Sequence, residues 1–183
     1  MHPAFLYLPG GRLSQSELSA ARIDGHVIEV GDAYIPADLV EGPDVRASTV
    51  ASLVRPGTAA CAQTAAWIHG AGDAPPPVHH VRRCVERRIR PTTGARLVFH
   101  DTAVPADDVM EIGGVAVTSP VRTMLDLTTT LHRDPRVLPW MVHLAVEFPD
   151  TVQTAAGRLR ALQRMPGRRA GLAALERIAV RKR

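Results

Sequence analysis

Residues 115–127 read Val-Ala-Val-Thr-Ser-Pro-Val-Arg-Thr-Met-Leu-Asp-Leu, and this stretch decides the fold. The run Val115–Thr118 is rich in β-branched residues and predicts a strand. Ser119 is a good N-cap, and Pro120 fits the first helical position, so a helix is predicted to follow through about Thr128. Arg122 and Asp126 stand four residues apart in it, and their side chains can therefore pair. A strand that turns directly into a helix indicates a mixed architecture.

The segments before this stretch also alternate between the two types of element. Three further β-like runs precede it, at Val78–Arg82, Arg96–His100 and Val109–Ile112, and Gly113-Gly114 predicts a hairpin between the last run and 115–118. Two helices are predicted upstream, over Asp44–Leu53 with Asp44 as its cap and over Thr64–His69. The proline-rich connector Gly72–Pro77 is stiff and fits either a domain boundary or an exposed loop.

Helical signals fill the rest of the chain after residue 131. Asp134-Pro135 repeats the pattern of a capping residue followed by proline, and it predicts a helix that bends or restarts at Pro139. Two amphipathic helices follow, one around Val152–Leu162 and one around Leu172–Ile178. Pro166-Gly167 is expected to separate them.

The first forty residues predict a helix followed by a hairpin. Ser14 and Glu17 form a capping box at the start of the helix, and Gly25 ends it. Two β-rich runs then surround Gly31-Asp32. This order matches the second half of a winged helix-turn-helix, but residues 1–11 contain too much proline and glycine for the preceding helices.

These elements together predict an α+β fold. It has a reduced winged-helix-like N-terminal unit (helix plus β-hairpin), a mixed α/β middle domain and a helical basic C-terminus. The expected limits are 1–57 for the first unit with its following helix, 58–131 for the middle domain and 132–183 for the helical region.

Composition narrows the class of protein. The chain has 183 residues, 45% of them hydrophobic and 22% charged, as globular domains do. Its two cysteines are too few for a disulfide framework or a four-cysteine zinc module. There is no apolar run of membrane-spanning length and no signal-peptide pattern at the start. We expect a cytoplasmic protein with no membrane association.

Positive charge is concentrated in two islands, although the formal net charge is only +4. Residues 1–60 carry four arginines against seven acids, whereas residues 151–183 carry nine basic residues against Glu176 alone. Residues 82–96 hold six arginines against Glu86. The predicted nucleic-acid-binding residues come from these islands: Arg82, Arg83, Arg87, Arg88, Arg90, Arg158, Arg160, Arg164, Arg168 and Arg169.

Other interpretations of the arginines stay open. All basic residues but one are arginine, which suits bidentate phosphate contacts but equally follows from a GC-rich genome. Runs of charge are often simply solvated faces, and an acidic protein partner is a further possibility. The chain has seven aromatic residues, so stacking on single-stranded bases is poorly provided for and duplex DNA is the better candidate.

The residue patterns of common enzymes are missing. A restriction-type nuclease needs a lysine close to its metal-binding acids, and the only lysine is Lys182. The sequence has no Gly-x-Ser-x-Gly elbow and no phosphate-binding Gly-x-x-x-x-Gly-Lys loop. The possible zinc ligands match no finger or ribbon spacing; they are Cys61, His79, His80, Cys84 and His100. We therefore expect no enzyme activity, no cofactor and no metal.

Four strings resemble a known family. They are Gly-Asp-Ala-Tyr-Ile-Pro at 31–36, Arg46-Ala47, Thr-Ala-Ala-Trp-Ile-His-Gly at 64–70, and the stretch 115–127. In this order and spacing they resemble the AbiEi-like antitoxins of type IV toxin-antitoxin systems, of the actinobacterial type, across about residues 12–131. Trp67 is expected to be a buried anchor, with His69 near the end of the helix, where an imidazolium would meet the negative end of the helix dipole.

The resemblance implies a DNA-binding antitoxin that represses its own operon through a winged helix and counters a nucleotidyltransferase-like toxin. Here the family's DNA-reading helix would fall on Ser14–Arg22, in an acidic segment that has the wrong sign for phosphate. The preferred hypothesis is therefore a non-enzymatic regulator that binds duplex DNA at its own operator through the arginine islands. The alternative is a protein-interaction module for an acidic partner, with DNA binding lost.

Overall fold

The computed structural model describes residues 5–90, 94–163 and 165–180. Its first unit consists of α1 (Gln15–Ile23), β1 (Val27–Val30) and β2 (Ala33–Pro36), and the two strands pair antiparallel across Gly31-Asp32. The predicted capping box is present, because the hydroxyl of Ser14 and the carboxylate of Glu17 each accept from the other's backbone N–H. A small cluster of Leu18, Val27 and Tyr34 joins the helix to the hairpin.

The second helix differs from its prediction at both ends. Helix α2 covers Pro43–Thr49, so Asp44 lies inside it and the cap is Gly42. Proline fits the first helical position because its missing N–H needs no partner there. After Thr49 the chain continues in short turns, in which the amide of Leu53 donates to the carbonyl of Val50. The predicted helix over Asp44–Leu53 is therefore correct in place but wrong in its limits.

A mixed five-stranded sheet forms the centre of the molecule, in the order β5-β4-β3-β7-β6. Its elements are β3 (Thr58–Ala60), α3 (Ala62–Ile68), β4 (His79–Arg83), β5 (Leu97–His100), β6 (Val109–Ile112) and β7 (Val115–Thr118). The middle strand β3 pairs antiparallel with β4 and parallel with β7. The connector Gly72–Pro77 therefore lies between α3 and a strand of the same sheet, which makes it a loop of this unit.

Four more helices follow in the described part of the chain, and α4 (Pro120–Thr130) is their centre. A 3-10 turn at Pro135–Val137 leads into α5 (Leu138–Glu147), and α6 (Thr151–Ala161) and α7 (Arg168–Val180) follow. Helix α4 contacts α3, α5, α6 and α7. Together with both sheets, these helices confirm the α+β fold. None of the helices in the described ranges has both the length and the apolar character needed to cross a bilayer.

Helices α4 and α7 approach each other closely at one glycine. A Cβ built on Gly171 would lie 2.6 Å from Cγ2 of Thr128 and 3.2 Å from Cδ2 of Leu159. Both distances are shorter than a normal carbon contact, so Gly171 is the residue that lets α7 lie against α4 and α6. In contrast, a Cβ on Gly157 in α6 would meet no atom within 4 Å.

These two glycines give opposite predictions for the same substitution. Gly157→Ala should raise the free energy of unfolding by roughly 0.5–1 kcal/mol, because alanine is the better helix former. Gly171→Ala should lower it by about 1–2 kcal/mol, because the added methyl group overpacks the interface. Urea denaturation of both variants checks this, and stabilisation by Gly171→Ala would show that α7 does not pack as described.

Candidate nucleic-acid interface

Arg82 points into the protein and pairs with a buried carboxylate. It lies on β4, its side chain is 13% exposed, and its Nη2 is 3.3 Å from Oδ1 of Asp126 on α4. The same Oδ1 accepts from Nε of Arg122 at 3.0 Å, which confirms the predicted pairing of Arg122 with Asp126. Burial raises the pKa of Asp126, and the two guanidinium groups act in the opposite direction.

The pairing extends from Asp126 to a second carboxylate. Nη1 of Arg122 lies 3.6 Å from Oδ2 of Asp108, just before β6, and Asp108 also accepts from Nη1 of Arg158 on α6. We call these five residues the buried ion-pair network: Arg82, Asp108, Arg122, Asp126 and Arg158. Arg158 is its most accessible member, with 46% of its side chain exposed.

Cys61 lies fully buried beside this network. Burial, together with the charge of Asp126, raises the pKa of its thiol to about 12. The sulfur therefore stays protonated at neutral pH, and a protonated thiol is a poor nucleophile. Within the described ranges, no group of three or more His, Cys, Asp or Glu side chains is placed to hold a metal ion.

Arg83 shapes the loop that follows β4. Its side chain is 13% exposed, and its Nη1 donates to the backbone carbonyls of Val85 at 2.9 Å and Glu86 at 2.6 Å. Its Nε donates to the carbonyl of Asp101 at 2.8 Å and lies 3.1 Å from its carboxylate. The amide of Cys84 donates to the carbonyl of Gly57. Arg83 therefore orders this part of the backbone rather than facing solvent.

Of the remaining arginines in the first island, Arg96 pairs with Asp32, whose Oδ2 lies 2.5 Å from its Nη2, and the other three have solvent-exposed side chains. Arg87, Arg88 and Arg90 are exposed, and none of them lies within ion-pair distance of a carboxylate in the described part of the chain. We call residues 84–90 the arginine loop. Its three exposed guanidinium groups are free to meet phosphate, to which arginine binds in bidentate fashion.

The C-terminal island is partly neutralised. Arg160 lies 3.6 Å from Glu176, and Arg168 donates to the backbone carbonyl of Arg160. Arg169 is exposed and has no carboxylate partner among the described residues. Arg164 lies outside the described residues.

Among the predicted arginines that the structure describes, Arg82 and Arg83 are largely buried, so this set does not form one exposed surface. Arg82 and Arg158 are brought together only through the carboxylates of the buried ion-pair network. Sequence reasoning missed Asp108 and the contact between Arg82 and Asp126, which are 44 positions apart in the chain. The only sequence signal for the network was the spacing of four between Arg122 and Asp126.

Two histidines on neighbouring strands form a pair that the sequence did not reveal. Nδ1 of His80 lies 3.1 Å from Nε2 of His100, and the rings stack with centroids 5.4 Å apart. Burial, followed by the charges of Arg82 and His80, lowers the pKa of His100 to about 4. The pKa of His80 is also lowered, chiefly by burial and then by His79.

The helix-end histidine is neutral, contrary to the sequence expectation. His69 is buried, burial lowers its pKa, and its Nε2 lies 2.7 Å from the carbonyl oxygen of Thr118. The neutral ring donates this hydrogen bond and joins α3 to the end of β7. The predicted imidazolium is wrong, because a charged ring would be desolvated there. Trp67 is fully buried, as expected of an anchor.

Comparison with protein families identifies the class of protein to which this chain belongs. The model of the AbiEi antitoxin C-terminal domain matches residues 58–171, which is more than half of the chain. The match takes in the whole five-stranded sheet, the buried ion-pair network and the arginine loop. The class it defines is that of the antitoxins of toxin-antitoxin systems. The chain belongs to the AbiEi antitoxin family, as its sequence strings predicted, and this membership implies a toxin partner of some kind.

One solved structure is similar in outline. The crystal structure of the RV2827C protein from Mycobacterium tuberculosis has 15% sequence identity and a TM-score of 0.36, over 90% of this chain and 70% of that chain. This likeness is too distant to inform the site. A comparison with curated proteins finds no match.

The histidine pair predicts a specific loss of stability in mild acid. An unfolded histidine has a pKa near 6.5, so between pH 6.5 and about 4 the unfolded chain binds a proton that folded His100 does not. His100 therefore contributes about 2 kcal/mol to the free energy of unfolding above pH 6.5. This contribution is lost as the pH falls from 6.5 to about 4. His100→Gln should flatten this dependence in urea titrations at several pH values.

The matched control is His26→Gln, because His26 is exposed. This variant should keep the wild-type pH dependence. An unchanged pH dependence in His100→Gln would contradict the burial of a neutral His100 ring.

Proposed function

We propose that this antitoxin is a non-enzymatic transcriptional regulator that binds the duplex DNA of its own operator and counters a nucleotidyltransferase-like toxin in the cytoplasm. The observation that carries the proposal is the arginine loop, which lies inside the region matched by the antitoxin family model. Opposing charge is scarce there, since Glu86 is the only carboxylate in residues 84–90.

The order of the loop supports the proposal. Arg83 holds the carbonyls of Val85 and Glu86, so the backbone that carries Arg87 and Arg88 is fixed before any ligand arrives. A fixed backbone lowers the conformational entropy lost on binding. Phosphate contacts of this kind position a protein on the duplex, while base contacts provide sequence specificity. The loop would therefore supply affinity and orientation.

The C-terminal arginines and the N-terminal unit would contribute to DNA binding in different ways. Arg169 is the best placed of the C-terminal set, because Arg158 and Arg160 already lie beside carboxylates. The helix and hairpin of residues 15–36 are the proposed reduced winged unit. Because the first 60 residues are acidic, this unit would contribute shape or a few base contacts rather than electrostatic affinity.

A second candidate function is a protein-interaction module that binds an acidic partner and has lost DNA binding. The acidic N-terminal region disfavours phosphate binding by the winged unit, and the engagement of Arg82 and Arg158 with internal carboxylates leaves fewer arginines for DNA. Both candidate functions use the exposed arginines, so an experiment has to decide whether these arginines bind DNA or an acidic protein.

The salt dependence of DNA binding tests the main proposal. The wild-type protein should shift a duplex containing the upstream region of its own gene, with an affinity that falls steeply as salt rises. Replacing Arg87, Arg88 and Arg90 by glutamine should weaken binding and reduce the slope of log affinity against log salt by roughly 2–3. Gel-shift titrations at four salt concentrations measure both quantities.

A control variant separates the effect of phosphate contacts at the arginine loop from the effect of lowering the net charge of the whole protein. Replacing Arg133, Arg136 and Arg177 by glutamine removes the same charge from exposed positions outside the arginine loop. This control should keep the wild-type slope. Equal slopes in both triple variants would contradict a role for the arginine loop. If the wild type shifts no DNA even at low salt, the DNA-binding proposal is contradicted and the protein-interaction module is the candidate function that is left.

A further inference from the structure

A cleft of about 420 Å³ lies between the tip of the N-terminal hairpin and the central sheet. The hairpin turn Gly31-Asp32 lines it on one side, together with the turns after α2, which contribute Arg55. His79 at the start of β4 and the segment 94–97 that leads into β5 line it from the sheet. We call this space the hairpin cleft, and it is formed jointly by the N-terminal unit and the middle domain.

Three charged side chains line the hairpin cleft: Asp32, Arg55 and Arg96. Arg96 is already paired, because its Nη1 and Nη2 lie 3.1 and 2.5 Å from the two carboxylate oxygens of Asp32. Arg55 is exposed, and no carboxylate in the described part of the chain lies within ion-pair distance of it. The lining itself therefore carries an excess of positive charge, and the guanidinium group of Arg55 is its unpaired member.

The position of Arg55 is fixed by a tight turn over residues 55–58. The amide and the hydroxyl of Thr58 both donate to the carbonyl of Arg55, at 2.9 and 2.7 Å. Pro56 occupies the second position of the turn and Gly57, with φ +85°, the third, as in a type II turn. Arg55 is therefore carried by a backbone that is ordered before any ligand binds.

The same turn packs against the arginine loop. The amide of Cys84 donates to the carbonyl of Gly57 at 2.9 Å. A Cβ built on Gly57 would lie 3.2 Å from Cγ2 of Val85 and 3.9 Å from Cγ2 of Ile89, so these two loop residues cover the turn. Arg55 and the exposed arginines of the loop are therefore neighbours on one ordered support.

Neutral donors in the cleft complement the guanidinium groups. The hydroxyl of Ser52 is exposed and has no hydrogen-bond partner among the described residues. His79 is buried, and burial lowers its pKa, so its ring is neutral at pH 7. Oγ1 of Thr64 accepts from the amide of His80, which leaves its own proton for Nδ1 of His79, 3.4 Å away. The ring hydrogen of His79 is then on Nε2, which is available to a ligand in the cleft.

This set of groups suits a phosphate group. The planar guanidinium of arginine binds phosphate oxygens in bidentate fashion, and a hydroxyl and an imidazole N–H donate to the oxygens that remain. A cation would be repelled by the excess of guanidinium groups. An apolar ligand would leave Ser52 and Nε2 of His79 without partners, which costs free energy.

The carboxylate of Asp32 is the group that a phosphate has to compete with. Its ion pair with Arg96 is exposed, since 52% of the Asp32 side chain and 63% of the Arg96 side chain are accessible. An exposed ion pair contributes little to stability, so a phosphate group can share Arg96 with Asp32 or displace it. Asp32 therefore weakens anion binding at this site, and its removal should strengthen it.

We propose that the hairpin cleft is a phosphate-binding site, in which Arg55 binds the phosphate group directly and Arg96 is shared between that group and Asp32. The phosphate belongs to the backbone of the duplex at the arginine loop or to a free phosphate compound. The first source rests on the proposed DNA binding and deepens it, because it adds Arg55, which precedes the matched region 58–171. The second source is independent of DNA binding.

Two single substitutions have opposite expected effects on duplex binding. Arg55→Gln removes one phosphate contact and should lower the slope of log affinity against log salt by about 0.9, equally on duplexes of different sequence. Asp32→Asn frees Arg96 for the phosphate and should raise this slope by a similar amount. Asparagine fits a turn as well as aspartate does, so the hairpin is retained. Gel-shift titrations at four salt concentrations measure both slopes.

The matched controls change the same charges outside the cleft lining. Arg177→Gln removes an exposed arginine of α7, and Asp38→Asn removes an exposed carboxylate that follows β2. Both controls should keep the wild-type slope. The expected changes in Arg55→Gln and Asp32→Asn, beside unchanged controls, would assign the cleft to the duplex backbone whether or not free phosphate binds there.

Titration with inorganic phosphate tests the site without DNA. In ¹H–¹⁵N NMR spectra of the full-length protein, phosphate should cause saturable shifts of the amides of Gly31, Asp32 and Arg96, and Arg55→Gln should abolish them. The same spectra show whether each variant is folded. Saturable shifts that depend on Arg55, together with duplex slopes equal to those of the controls, would assign the cleft to a free phosphate compound.

Two outcomes separate this proposal from the proposed function. Duplex binding by the wild type, with control-like slopes in Arg55→Gln and Asp32→Asn and no saturable phosphate shift, would overturn the cleft site and leave the DNA-binding proposal intact. A wild type that shifts no duplex but binds phosphate through Arg55 would contradict the proposed function and support the cleft site.

Discussion

The carboxylate of Asp126 is the constraint on which the matched domain depends. A buried charge is costly unless it is paired, and Asp126 is paired at Oδ1 with one arginine on a strand and one on its own helix, while its Oδ2 has no hydrogen-bond partner among the described residues. Arg122 then reaches Asp108, and Asp108 holds Arg158 of α6. This chain of ion pairs connects β4, α4, the start of β6 and α6, so the position of the helices against the sheet is specified by charge as well as by apolar packing.

The same network determines which positive charge is left for a partner. The arginine-rich stretch beginning at residue 82 looks uniform in sequence, yet its first two arginines serve the fold: Arg82 pairs inside the protein and Arg83 orders the following backbone. The exposed guanidinium groups come after them, in the arginine loop. Counting charges along the sequence therefore does not show which of two neighbouring arginines is free to bind a partner, because that depends on the carboxylates that the fold brings near each of them.

The sequence predicted those features that depend on neighbours in the chain. The capping box at Ser14, the hairpins at Gly31-Asp32 and Gly113-Gly114 and the start of α4 at Ser119-Pro120 are all local signals, and the structure has each of them. The α+β class and the family followed from the same strings. Strand β3 was missed, because three residues of threonine and alanine give no periodic pattern.

Features set by tertiary contacts could not be predicted in this way. Asp126 and Arg82 are far apart in the chain, so the burial of Arg82 followed from the pairing of sheet and helix rather than from local pattern. The neutral state of His69 and the His80–His100 pair also depend on burial between elements. The apolar groove lined by Leu138 of α5 and Ala173 of α7 is also a property of helix packing, since each helix alone predicted only an amphipathic face.

Chemical modification of arginine, located by mass spectrometry, tests the division between structural and exposed arginines most directly. With phenylglyoxal on the folded protein, this account predicts rapid modification of Arg87, Arg88 and Arg90 and protection of all three by operator duplex. Arg82 and Arg83 should stay unmodified with or without DNA. Rapid modification of Arg82 in the free protein, or loop arginines that react equally in the presence of DNA, would contradict it.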